Sequence, residues 1–177
     1  MAPAPRTSSN AEGETDLVMR LKKDIFERKY MKQLENDPVQ NANLAWMRVV
    51  EIMSVEKLSE TTARAVFRLP VQREYLNPAQ GLHGGMAAAM FDTMTTWTLY
   101  PIRKPGFWML FGTTRTLNLT YLRPAPEGEM MLMECEVVHA GKRLCLIKGT
   151  LRRERDGAII STCEHQKYNN DPEVAKA

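Results

Sequence analysis

The chain has 177 residues, 44% of them apolar and 25% charged, which suits one globular domain with a real hydrophobic core and a short extension. A net charge of only +3, without any basic cluster interleaved with aromatics, argues against a nucleic-acid partner but leaves a few cations for a phosphate-bearing ligand. Three unpaired-looking cysteines (Cys135, Cys145 and Cys163), no run of eighteen apolar residues and no hydrophobic leader argue against a disulfide framework, a membrane span and secretion.

In chain order, residues 1–16 are rich in Pro, Ser, Ala and acids with no apolar period, and are expected to form a disordered tail. Glu12, Glu14 and Asp16 also disfavour a mitochondrial transit peptide, so the expected location is cytoplasmic, with mitochondrial as the alternative. Leu17, Leu21, Ile25 and Phe26 then recur at helical spacing among Arg and Lys. They predict an amphipathic helix to about Leu34, closed by Asn36-Asp37-Pro38, within an N-terminal helix and linker over 17–43. Docking on the domain is its expected role; a membrane-surface or partner-binding helix is the alternative.

The domain itself is expected over 44–168. Met47, Val49, Met53 and Val55 alternate with polar positions and predict a strand from Ala45 to about Glu56. Ala63, Ala65, Phe67 and Leu69 repeat the pattern to Pro70. A long apolar helix follows, from Met86 to Leu99, and Pro101, Pro105 and Gly106 break it off. Four strand-like runs remain: Phe111 to Leu122, Met130 to His139, Leu144 to Arg153 and Ile159 to about Lys167, with turns at Gly141-Lys142 and Asp156-Gly157. Residues 169–177 read as a C-terminal tail. Two strands, one long helix and four strands make an α+β domain with an antiparallel sheet.

The stretch NPAQGLHGGMAAAMFDTMTTW, Asn77 to Trp97, organises this pattern. Asn77-Pro78 opens a turn, Gly81, Gly84 and Gly85 loosen the backbone where the helix begins, and Asp92 is the one ionisable residue in the helical run. A carboxylate in an apolar setting is costly unless it is paired or hydrogen-bonded, so it points either to chemistry or to bonding with threonines such as Thr95 and Thr96. At the other end, the free N–H groups near His83 to Met86 and the helix dipole suit an oxyanion. Gly84 and Asp92 are eight residues apart, about 12 Å along one helix, so a single reacting atom cannot touch both. Two antiparallel copies, each offering its N-terminus to the other's carboxylate, would form such a site between subunits.

Asn77, His83-Gly84-Gly85 and Asp92 in this order and spacing resemble the signature of hotdog-fold acyl-CoA thioesterases of the phenylacetate-pathway type, which include the mammalian thioesterase superfamily members. The resemblance runs through NLTYLRPAPEGE, Asn118 to Glu129, and covers roughly Leu44 to Tyr168. It implies a hotdog fold, in which a curved antiparallel sheet wraps a long helix, and homodimers or dimer-of-dimers tetramers that pair their sheets edge to edge. It also implies hydrolysis of a fatty or aromatic acyl-CoA to free acid and coenzyme A, chemistry that belongs to lipid metabolism and uses no cofactor.

By that resemblance, Asp92 is nucleophile or general base, and Gly84 N–H and the Asn77 amide hold the thioester carbonyl. Thr114 stands where related enzymes often carry a hydroxyl that positions water. His83 is expected to brace the turn rather than carry the proton. Thr114, Thr116, Asn118 and Thr120 share one strand face and Leu117, Leu119 and Tyr121 the other, so Thr114 reaches the helix only through a bulge or a dimer edge. Gly85, Arg115, Lys142 and Arg143 are candidate substrate contacts, the cations for coenzyme A phosphates.

Met90, Phe91, Met94, Trp97, Phe107 and Trp108 fit either an apolar pocket or core packing. His83, His139 and His165 lack metal-ligand spacing, and neither a Gly-x-Ser-x-Gly elbow nor a dinucleotide or phosphate-loop fingerprint occurs. Two other functions stay open from the residues: a hotdog module that binds acyl-CoA without turnover, and an acyl-thioester hydratase or dehydratase.

Overall fold

A computed structural model describes residues 8–26 and 45–172. The elements are α1 (Ser8–Phe26), β1 (Glu51–Lys57), β2 (Ala63–Pro70), α2 (Gly84–Trp97), β3 (Thr113–Tyr121), β4 (Met130–Ala140), β5 (Leu144–Arg153) and β6 (Ile159–Tyr168), with short 3-10 turns at Ala45–Val49, Arg73–Tyr75 and Tyr100–Ile102. The six strands form one antiparallel sheet in the order β1-β2-β4-β5-β6-β3, curved around α2, and the α+β expectation holds.

The sheet folds over the helix because one face of each central strand is apolar. Ala65, Phe67 and Leu69 of β2, Met131, Met133 and Cys135 of β4, and Leu151 of β5 are buried against Met90, Phe91 and Met94 of α2 in one core cluster. Each large side chain removed from water there contributes about 1.5–3 kcal/mol. Gly149 of β5 sets how close the helix comes: a Cβ at that position would stand 2.8 Å from two ring carbons of Phe91. Trp108, Leu99 and Ile102 fill a second cluster at the far end of α2 with Val137 and Ile147. The residues that fitted either a pocket or packing are thus largely core: Met90, Phe91, Met94 and Trp108 are fully buried and Trp97 nearly so.

Four expectations change. Helix α1 begins at Ser8 rather than Leu17, so part of the presumed tail is helical, supported by an Asp16–Arg20 ion pair one turn apart at 2.9 Å. Leu21 and Ile25 are buried, and Arg103 reaches Asp24 at 3.1 Å, which docks the helix on the domain; its expected continuation to Leu34 lies outside the described residues. The first strand is shorter than its alternation suggested, because Ala45–Val49 turns as a 3-10 helix and a bulge between Ile52 and Ser54 sends Met53 outward while burying Ile52 and Val55. The setting of Asp92 is less apolar than expected: its side chain is 46% exposed, on a helix whose Gly85 and Ala89 are also exposed.

The fourth concerns the C-terminal tail, which is built in as far as it is described. Asn169 and Asp171 are buried, and the Asp171 carboxylate accepts hydrogen bonds from the backbone N–H of Met109 and Leu110 at 2.7 and 2.9 Å. It clamps a loop in which Trp108 and Phe111 take left-handed φ values of 58° and 63°.

Candidate active site

The face of α2 left uncovered by the sheet carries Asp92, and β3 comes to meet it. A register shift between Thr114 and Thr116, against Lys167 and Gln166 of β6, supplies a bulge, one of the two routes expected for Thr114. Its Oγ1 donates to Asp92 Oδ1 at 2.7 Å. A hydroxyl bonded to a carboxylate at that distance is a charge-assisted bond of the stronger kind.

Behind this pair lies a polar layer that the sequence did not reveal. His165, fully buried on β6, places Nε2 at 3.0 Å from Thr114 Oγ1 and 3.4 Å from Asp92 Oδ1, and Nδ1 at 2.6 Å from Thr95 Oγ1. Burial and the neighbouring Lys167 push its pKa down to about 4 against the pull of Asp92, so the ring is neutral near pH 7. Thr95 Oγ1 also lies 2.6 Å from the carbonyl of Phe91, and its single proton serves one of these acceptors. When it goes to Phe91, the ring carries its proton on Nδ1; when it goes to Nδ1, the ring carries it on Nε2 and donates toward Thr114.

Lys167, two residues on and 3% exposed, reaches Thr96 Oγ1 at 2.9 Å and Thr114 Oγ1 at 3.4 Å. Burial lowers its pKa, opposed by Asp92 and Cys145. Period-two alternation was the signal available for both residues. Glu164 and Gln166 occupy the outer face of β6, which turns Cys163, His165 and Lys167 inward.

The other predicted residues gather at the opposite end of α2. His83 caps the helix, its Nδ1 accepting from Gly85 N at 3.0 Å. Gly85 N–H is therefore occupied, whereas those of Gly84 and Met86 have no acceptor within the helix. Asn77 Oδ1 accepts from Gly81 N at 3.2 Å and closes the turn, and its NH2 group makes no hydrogen bond among the described residues. Tyr121, at the end of β3, donates to the carbonyl of Gly84 at 2.8 Å. One protomer thus brings Asp92 and Thr114 together but keeps Gly84 about 12 Å away along the helix.

Arg115 is exposed at the bulge beside Thr114. Lys142 and Arg143 lie in the turn before Leu144, and the row Leu144–Tyr168–Thr113 puts that turn at the same end of the sheet as Thr114. Among the described residues no group of His, Cys, Asp or Glu is arranged to hold a metal ion, and no helix is long and apolar enough to cross a membrane.

Comparison with known proteins gives this geometry relatives. Residues 80–160 match the family model of the Thioesterase superfamily. Human acyl-coenzyme A thioesterase 13 is 26% identical over 111 residues, 63% of this chain and 76% of that protein. Zebrafish thioesterase superfamily member 2 superposes with a TM-score of 0.65 at 25% identity, covering 82% of this chain and 94% of the other. A thioesterase protein from Streptococcus pneumoniae, solved with coenzyme A, reaches a TM-score of 0.60 at 17% identity over 71% of this chain and 91% of its own, a likeness of fold alone.

Proposed function

Because residues 80–160 match the family model of the Thioesterase superfamily, we propose that the chain is an acyl-CoA thioesterase that hydrolyses a fatty or aromatic acyl-CoA to the free acid and coenzyme A. The observation that carries the reading is the Thr114–Asp92 bond of 2.7 Å on the helix opened by His83-Gly84-Gly85. Thr114 ties one carboxylate oxygen, and the half-exposed side chain keeps the other for water. Asp92 then takes a proton from that water as it adds to the thioester carbonyl, and the tetrahedral intermediate expels coenzyme A thiolate. The substrate is already activated, so two hydrogen-bond donors on the carbonyl oxygen suffice as electrophilic help.

Those donors, Gly84 N–H and the Asn77 amide, come from a second copy in this reading. Support lies in the direction of β3. Its Thr114 end touches Asp92 and its Tyr121 end touches Gly84 of the same helix, so β3 lies alongside α2 from end to end. The strand is the sheet's edge and is exposed over most of its length. Antiparallel pairing of two such edges about Leu117 sets Thr114 of one copy beside Tyr121 of the partner subunit, and hence Asp92 beside Gly84 of the partner subunit. The dimer therefore holds two complete sites, and a tetramer made of two such dimers holds four. Arg115, Lys142 and Arg143 at the Thr114 end are placed to meet the phosphates of coenzyme A.

The test is thiol release from acetyl-, octanoyl-, palmitoyl- and phenylacetyl-CoA by wild type and Asp92→Asn. Turnover that falls at least about a hundredfold in a folded Asp92→Asn protein is expected. A wild type that binds these thioesters without releasing thiol, or a fully active Asp92→Asn, overturns the reading. A single turnover in oxygen-18 water checks the role of Asp92: label confined to the product acid fits a base, and label in Asp92 fits a nucleophile.

A further inference from the structure

We infer that Lys167 is a positioning residue for hydrolysis, its ammonium fixing the Thr114 hydroxyl as a donor to Asp92; the inference rests on the thioesterase reading above. A lysine with 3% exposure is rare, and burial of its charge is costly unless specific partners hold it. A structural lysine would be expected to have a carboxylate in ion-pair contact. Among the described residues Lys167 has none, and both its side-chain partners, Thr96 and Thr114, belong to the site. Thr96 in turn donates to the carbonyl of Asp92 at 2.6 Å. Lys167 thus bridges the helix turn that carries the carboxylate and the bulge that carries the hydroxyl.

The need for such a bridge follows from proton counting. Thr114 Oγ1 has one proton and two neighbours able to accept it, Asp92 Oδ1 at 2.7 Å and His165 Nε2 at 3.0 Å. Donation to the histidine would leave Asp92 Oδ1 facing no donor and free the carboxylate to rotate. An ammonium donates and never accepts, so Lys167, at 3.4 Å, engages a lone pair of Oγ1 and leaves the hydroxyl proton for an acceptor. Its field favours the arrangement in which the hydroxyl points at the carboxylate and the ring proton sits on Nε2. Thr96 lies in the last turn of α2, where the helix dipole also favours a cation. The ionisable groups facing Lys167 are Asp92 from α2, His165 from its own strand and Cys145 from β5; β3 faces it with the uncharged Thr114.

The experiment is a cycle of Lys167→Met and Thr114→Val in the full chain, read by kcat and KM with octanoyl-CoA and phenylacetyl-CoA and by thermal melting. Replacing a buried ammonium by a methionine of similar length should leave the melting temperature unchanged or higher. Lys167→Met should nonetheless lower kcat by roughly 10- to 100-fold, with KM within about twofold. The double variant should be no slower than Thr114→Val alone, because Lys167 acts through that hydroxyl. Wild-type kcat in Lys167→Met, a loss confined to KM, or losses that multiply in the double variant would overturn the inference while leaving the thioesterase reading intact. Absence of thiol release by the wild type overturns both. If Lys167→Met does not fold, Thr96→Val, which removes the bond at 2.9 Å, takes its place. A kcat loss seen in the wild-type background but absent from Thr114→Val supports the inference; equal losses in both refute it.

Discussion

Thr114→Val removes one hydroxyl and changes little else, which makes it the sharpest probe of the proposed chemistry. The bond it deletes is 2.7 Å long and ends on a carboxylate, so it belongs to the class with a net value of about 1.5–3 kcal/mol. If that bond is made in the transition state, its loss lowers kcat by roughly 10- to 150-fold. Valine keeps the shape and the strand preference of threonine. Thr114 is exposed in the single protomer, so folding stability should stay within about 0.5 kcal/mol of wild type. Thr114→Ser retains the hydroxyl and should recover most of the activity. The assay is thiol release at saturating octanoyl-CoA or phenylacetyl-CoA, beside a denaturant titration and a sizing column. A folded Thr114→Val assembly with kcat within about twofold of wild type would refute the claim that this bond orients the catalytic carboxylate.

Three further outcomes follow from the same geometry. Gly149→Ala puts a methyl group 2.8 Å from the Phe91 ring, so the denaturation midpoint should fall by the equivalent of about 1–3 kcal/mol, and kcat with it because Phe91 adjoins Asp92. His165 has a folded pKa near 4 against 6.5 for a free imidazole, so between those values the unfolded chain binds the extra proton and stability falls as pH is lowered. Denaturant midpoints from pH 7 to 4 should show this loss, roughly 1–3 kcal/mol, and its flattening in His165→Gln. Asp171→Ala strips two backbone N–H groups of their acceptor and leaves the left-handed residues Trp108 and Phe111 unclamped; calorimetry should show a loss of about 2–4 kcal/mol.

The succession of strands and helix along the chain could be read because their periods are clean: Ala63, Ala65, Phe67 and Leu69 alternate without interruption, and one apolar run of helical length stands between glycines and prolines. Asp92 was legible as the sole charge in that run. The bulge at Thr114 was legible only as one of two ways, beside a dimer edge, for that hydroxyl to reach the helix. Bulges themselves leave little mark in composition, which is why Met53 was assigned inward and lies 52% exposed. His165 and Lys167 were missed because polarity inside a strand normally marks its outer face; here the inner face is polar, since it meets the threonines of α2 rather than its apolar side. Asn169 and Asp171 read as a tail because their partners, Lys142, Met109 and Leu110, are remote in sequence.

The strand order has a consequence for how activity arises during synthesis. Within the sheet of a protomer β3 pairs with β6 alone, and Thr116 pairs with Gln166, roughly fifty residues further along. The helix with its carboxylate and four strands can be made, and can begin to associate, while β3 has no strand to pair with. Only when the final strand arrives is the hydroxyl carried to the acid. Such a long-range closure is slow compared with helix formation, and it comes late. A nascent or truncated chain lacking Ile159–Tyr168 thus holds every residue of the first half of the site and none of its function, so that turnover itself reports that the last strand is home.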